Sequence, residues 1–217
     1  VCEGEQPENV TSLLFEDNAS AYLTGLIAGR MTETNKVGFI GGMESPVISK
    51  FDYGFRAGVK AANPDAEVMV QYANSFTDSA LGKTIANQMH SKNADIIFTC
   101  AGAVGIGAIE AAKENGKKAI GVDQDQNSLA PENVITSAMK NIDVSVEEML
   151  SKVVDGSYKG GEIIVNTLAM NGVGIPQSSE KNVPPDVLTY VKEEAEKVKS
   201  GEVKVPATKE EFEQLNK

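Results

Sequence analysis

A doubly wound parallel sheet of the α/β class is predicted by three features of the sequence. Short apolar runs rich in β-branched residues alternate with longer stretches of helical spacing through the middle of the chain. The runs are continuous rather than alternating, as expected of strands covered by helices on both faces. Four such strands separated by three helices make successive βαβ units, whose crossovers are nearly always right-handed.

The elements follow in order. Residues 10–15 are strand-like and 19–31 helical. Residues 37–40 read as a buried strand, and over 47–62 Val47, Phe51, Phe55 and Val59 recur at four-residue intervals on one helix face. Residues 67–72 are the next strand. Asp78 or Ser79 then caps a helix reaching about residue 92, with Leu81, Ile85 and Met89 along one side. Residues 94–100 are a third strand, 105–115 a third helix stopped by Gly116, and 118–122 a fourth strand.

Beyond this regular region, 134–139 reads as a strand, 144–154 as a helix and 162–165 as a short strand. Pro184-Pro185-Asp186 opens a charged helix over 187–200, expected to cover a sheet edge or face, and 201–217 reads as a solvated tail with one further helical turn. The sheet over 37–122 is complete by itself, whereas the strands at Val10 and Val134 lack partners and would suit a second sheet. The expected division is a complete α/β ligand-binding lobe over 17–125. The remainder, 1–16 with 126–217, holds part of another lobe, crossover strands and the C-terminal helix.

Charge narrows the function classes. The 217 residues include 31 acidic and 20 basic side chains, a net charge of −11, and the basic residues are scattered. Affinity for a phosphate backbone rests on clustered Lys and Arg, so nucleic-acid binding is not expected, and membrane-surface binding is disfavoured for the same reason. The apolar runs fall far short of the ~20 residues of a membrane-spanning helix. Cys2 and Cys100 make neither a disulfide framework nor a zinc pair. Cys100 is expected to pack as a small hydrophobe. Cys2 stands where a lipoprotein carries its lipidated Cys, but no signal segment precedes it, which argues against lipidation.

Ligands of open α/β sheets bind beyond the carboxyl ends of the strands. Those positions here are Gly41 to Glu44, Ala73 to Asp78, Ala101 to Gly105 and Asp123 to Gln126. Phe76 is an apolar ring in a polar loop, able to stack on a planar base or to tuck against its own helix. Asp78 fits an N-cap. Asp123 follows an apolar strand and is placed to accept two sugar hydroxyls, with an Asx-turn as the alternative that Asp125 fits better. Gly102, Gly105 and Gly107 resemble half of a dinucleotide fingerprint, but Glu110 stands where the last glycine belongs. A close backbone approach to a small polar ligand is the better reading, with a plain tight turn beside it.

Catalytic constellations are absent. His90 is the only histidine and stands late in a helix, where a surface position or a helix C-terminal interaction is expected. There is no nucleophile elbow, no phosphate-binding Gly-Lys-Ser/Thr and no His/Cys metal cluster, so neither a catalytic centre, a metal nor a cofactor is expected.

Five segments carry a resemblance: Val-Gly-Phe-Ile-Gly-Gly-Met at 37–43, Lys-Phe-Asp-Tyr-Gly-Phe-Arg-Ala-Gly at 50–58, Ser-Phe-Thr-Asp at 75–78, Gly-Val-Asp-Gln-Asp-Gln at 121–126 and Val-Ile-Thr-Ser-Ala-Met-Lys-Asn at 134–141. In this order they closely resemble the basic membrane protein family, the substrate-binding lipoproteins of ABC importers that include the purine nucleoside receptors. The resemblance runs from about residue 9 to 175 and implies a type I periplasmic-binding-protein fold, two lobes closing on a nucleoside.

It further implies that Phe76 stacks on the base, Gly102 offers a backbone contact, and Asp123 and Lys140 hold the ribose, with Met43 and Phe51 as weaker rim candidates. Core packing is the expected role of Phe51. The family begins with a strand, helix and aromatic-bearing loop that have no counterpart here. The implied protein is thus a nucleoside-binding component of an ABC importer in an N-terminally shortened form with weakened binding. It would be lipid-anchored at the cell surface or in the periplasm in its full-length parent, partnered by a membrane permease and inclined to self-associate through the incomplete lobe. A ligand-sensing regulatory module of the same fold is the alternative; a nucleotide-processing enzyme would need a base or metal site that the sequence lacks.

Overall fold

The computed structural model describes residues 7–215, so Cys2 lies outside the described residues. The order is β1 (Ser12–Phe15), α1 (Asp17–Met31), β2 (Lys36–Gly41), α2 (Pro46–Ala62), β3 (Glu67–Tyr72), α3 (Ser79–Ser91), β4 (Ile96–Cys100), α4 (Ala103–Glu114) and β5 (Lys118–Asp123). There follow β6 (Val134–Lys140), α5 (Ile142–Val154), β7 (Ile163–Asn166), β8 (Val173–Gly174), α6 (Pro185–Lys199) and α7 (Lys209–Gln214). A six-stranded sheet has the order β3-β2-β4-β5-β6-β8, and β1 pairs with β7 in a second, two-stranded sheet. Every pairing is parallel except that of β6 with β8.

The continuous apolar runs are explained by what lies on either side of the large sheet. Val37, Phe39, Ile96 and Phe98 join the core built with α1 and α2, while Ile40 and Ile97 join the one built with α3 and α4. Successive side chains point to opposite faces. With both faces covered, the runs are apolar on both sides, and the few polar residues in them, such as Thr99 and Thr136, are buried with hydrogen-bond partners.

Helix α1 is buried at every residue from Asp17 to Gly29, as befits a helix apolar on all sides. Its crossing with α2 is lined by Gly25, Gly29, Gly54 and Gly58. A methyl on Gly58 would overlap the carbonyl oxygen of Tyr22, and one on Gly25 that of Phe55. Helix α6 adds Val187, Leu188 and Val191 to the same core and packs on α1. It therefore covers a helix, not the sheet edge or face expected from its charge pattern.

One further placement differs from expectation, and one decides between two alternatives. Strand β6 lies in the large sheet beside β5, not in the second sheet, and the pairing absorbs a register shift between Ala119 and Ile120. Of the two positions expected for His90, the surface one fails because the ring is buried, and the helix C-terminal one is found: its Nδ1 lies 2.9 Å from the Ala94 carbonyl oxygen just past the end of α3. Cys100 is a free, buried thiol whose pKa burial pushes well up, so it stays protonated and packs as a small hydrophobe. Val146, Leu150 and Val153 of α5 and Ile163 and Val165 of β7 are exposed.

Candidate functional site at the strand ends

Because β2, β4, β5 and β6 run parallel, their carboxyl ends deliver Gly41, Cys100, Asp123 and Lys140 to one rim. Asp123 stands opposite Met139 in the β5–β6 register, and Lys140 follows. The Lys140 ammonium lies 3.3 Å from the Asp123 carboxylate. On its other side it lies 3.2 Å from Oδ1 of Asp17, the first residue of α1, and 5.1 Å from the centroid of the Phe51 ring. One cation thus joins two carboxylates and an aromatic face.

The two carboxylates differ in surroundings. Asp17 has a side chain only 5% exposed, whereas that of Asp123 is 57% exposed. Burial lifts the Asp17 pKa above the ordinary carboxylate value, with Lys140 opposing the rise. Burial would lower the Lys140 pKa, but Asp17 and Asp123 together outweigh it and raise the pKa, so the side chain is a cation at neutral pH. Asp17 Oδ1 is buried, and the Lys140 ammonium at 3.2 Å is the cation that offsets its charge.

The other rim residues take distinct places. The Phe76 ring lies across Gly42, so that any side chain at 42 would collide with it, and the residue is 39% exposed. Its carbonyl accepts a 2.8 Å hydrogen bond from Ala103 N. Gly102 caps α4 with φ 56° and ψ −127°, a conformation L-residues avoid, and a Cβ there would come 2.8 Å from the Phe76 oxygen. Met43 stands exposed just past β2, and Phe51 is buried in the core, meeting the rim only through the ring face under Lys140. Asp78 caps α3 by accepting from Leu81 N at 2.9 Å, and Asp125 makes an Asx-turn with Asn127 N at 3.0 Å.

Two cavities meet at Lys140. One of about 490 Å³ is lined by Thr99, Gly102, Ile106, Asp123, Gln124 and Lys140 among others. The other, of about 660 Å³, is more apolar and is lined by Leu13, Phe15, Asp17, Val47, Lys50 and Lys140 among others. A smaller cavity of about 230 Å³ beside Tyr22 and Phe212 holds none of the strand-end residues. Among the described residues no His, Cys, Asp and Glu cluster is placed to hold a metal ion. An exposed acceptor carboxylate beside a donor ammonium, the latter held from behind by a buried acid, suits a ligand bearing neighbouring hydroxyls.

Asp17 was not legible as a site residue. An acid in the first turn of a helix reads as a partner of the helix dipole. The available signal was its setting: a carboxylate opening a helix that is otherwise apolar on all sides will be buried and needs a cation.

Comparison with known proteins adds the family context. The model of the family described as ABC transporter substrate-binding protein PnrA-like matches residues 1–209. The ABC transporter nucleoside-binding protein BmpA of Lactococcus lactis is 38% identical over 217 residues, covering 92% of this chain and 61% of its own length. A solute-binding protein of an ABC transporter system from Aeropyrum pernix superposes with a TM-score of 0.87 at 26% identity, over all of this chain and 72% of its own. A transcriptional activator of the comK gene from Bacillus halodurans superposes with a TM-score of 0.80 at 26% identity, over 90% of this chain and 67% of its own. The chain spans about 60% of the length of the curated relatives it matches.

Proposed function

Since the chain belongs to the PnrA-like family of ABC transporter substrate-binding proteins, we propose that it takes part in capturing a purine nucleoside for import, using the Asp123–Lys140 rim. The observation that carries this reading is the placing of Lys140 between Asp17 and Asp123. Ribose offers two adjacent hydroxyls, each a donor and an acceptor. Asp123 accepts from them and Lys140 donates to their oxygens, while the buried Asp17 carboxylate holds the Lys140 ammonium in place. Phe76 stacks on the base, and Gly102 lets backbone approach the ligand.

The described residues offer the base a ring from one side only. We therefore expect this chain alone to bind more weakly than micromolar. The partner is a membrane permease and the place of action the cell surface or periplasm, both by extension from the family. No helix among the described residues is long and apolar enough to cross a membrane.

Calorimetric titration with adenosine, guanosine and inosine tests the reading. Weak saturable binding supports it, and micromolar or tighter affinity overturns the expectation of weakness. The similarity to a protein described as a transcriptional activator favours one second reading, a ligand-sensing module of the same fold. Nucleoside-dependent stimulation of a cognate permease ATPase separates the two: present for import, absent for sensing.

A further inference from the structure

Three chain segments pass between the two sheets: β1 into α1 at Glu16, β6 into α5 at Asn141, and β7 into β8 across residues 166–172. The third grips both of the others. At one end Glu16 N donates to the Asn166 carbonyl at 3.1 Å, and Leu168 N donates to the Glu16 carboxylate at 2.9 Å. At the other, Asn141 N donates to the Gly172 carbonyl at 2.9 Å, and Asn141 Nδ2 donates to the Asn171 carbonyl at 2.6 Å.

Asn166 stands at the centre of this tie. It is 3% exposed, and both ends of its amide are used: Nδ2 donates to the Leu14 carbonyl at 3.0 Å, and Oδ1 accepts from Ser145 Oγ at 2.8 Å. Ser145 is 2% exposed and lies in the first turns of α5. The loop then folds back so closely that a methyl on Gly172 would collide with Cβ of Asn166. Buried polar groups this fully satisfied hold a single arrangement, because each lost bond leaves an unpaired group out of reach of water.

The two residues so gripped, Glu16 and Asn141, are the immediate neighbours of Asp17 and Lys140. We infer that Asn166 is a positioning residue that, through residues 166–172, sets the separation of the Asp17 carboxylate and the Lys140 ammonium without itself lining the site. The inference rests on reading that pair as part of the ligand site, and it predicts an energetic link which exists whether or not nucleoside is present.

The test is a double-mutant cycle on urea unfolding, pairing the uncharged Asn166→Ala with Asp17→Asn. Asn182→Ala serves as control, since Asn182 also ties a loop by side-chain bonds to the carbonyls of Pro131 and Val134 but lies outside the crossing segments. The expected result is a combined midpoint shift smaller than the sum of the single shifts for Asn166, with simple additivity for Asn182. Should the Asn166 variants fail to fold, the milder Asn141→Ala carries the same cycle with the same expectation. Additivity at Asn166, or at Asn141 in its place, would overturn the inference, because a purely structural tie has no reason to sense the Asp17 charge. In the parent, nucleoside affinity should fall at least five-fold on Asn141→Ala. If the parent binds no nucleoside at all, the proposed function fails while the cycle still decides the positioning role.

Discussion

The Lys140 ammonium lies 3.2 Å from the carboxylate of Asp17, joining the last residue of a sheet strand to the first residue of the most buried helix. Taking one partner from such a pair leaves a charge in a site with little water to solvate it. Lys140→Met should therefore destabilise the fold by about 3 kcal/mol, the typical cost of breaking a buried pair from one side. The double variant with Asp17→Asn should recover part of the loss. Chemical unfolding of the three variants checks this.

The α1–α2 crossing predicts a substitution whose sign is informative. In a helix interior Gly→Ala gains up to about 1 kcal/mol from propensity. At Gly58 the new methyl would overlap the Tyr22 carbonyl oxygen, and overpacking of this kind costs about 1–3 kcal/mol. Gly58→Ala should lower stability on balance. Gly174→Ala, where a Cβ meets nothing within 4 Å, should leave the unfolding midpoint nearly unchanged.

His90 gives the fold a pH dependence. Its burial lowers the folded pKa below the usual 6.5, with Lys117 acting in the same direction and the Ala94 carbonyl and Asp95 opposing it. Its Nε2 is buried without a hydrogen-bond partner. The unfolded chain then binds a proton that the folded one refuses, so this contribution is intact above pH 6.5 and is lost as the pH falls from there toward the folded pKa. Melting temperature should drop as the pH falls below about 6.5, and His90→Gln should flatten that slope.

At the rim, Phe76→Ala should weaken nucleoside binding roughly ten-fold, the scale of one aromatic stack. Stability should change little, because the ring is 39% exposed. Gly102→Ala should weaken binding as well, since its backbone conformation and the nearby Phe76 carbonyl leave no room for a side chain. Titration of both variants beside the parent measures the two effects.

The doubly wound core was readable because its strands are covered on both faces, which writes them as unbroken apolar runs. Strand β6 was harder to place. Its residues announce a strand, but which neighbour it pairs with depends on a shifted register against β5 that no local pattern records. The α6 helix was misplaced for a related reason: Glu and Lys marked its solvated side, but nothing marked α1 rather than the sheet as the surface under its Val187, Leu188 and Val191 side.

The site divides the same way. Asp123 stands at a strand end, where a parallel sheet gathers polar groups, whereas Lys140 was named only through the family resemblance; the structure brings the two together. Asp17 and the tie through Asn166 depend on contacts between segments far apart in the chain; Asp17 is signalled only by opening an apolar helix, and nothing local signals the tie. His90 read as either a surface residue or a helix C-terminal partner, and a lone histidine late in a helix gives no sign that the helix end is packed over and so selects the second.

Saturation-transfer NMR with inosine at millimolar concentration, on the parent and on Asp123→Asn and Lys140→Met, tests the central claim most directly. The account predicts a saturable signal in the parent that is strongly reduced in both variants while each remains folded. No signal in the parent, or one that survives both substitutions, would contradict it.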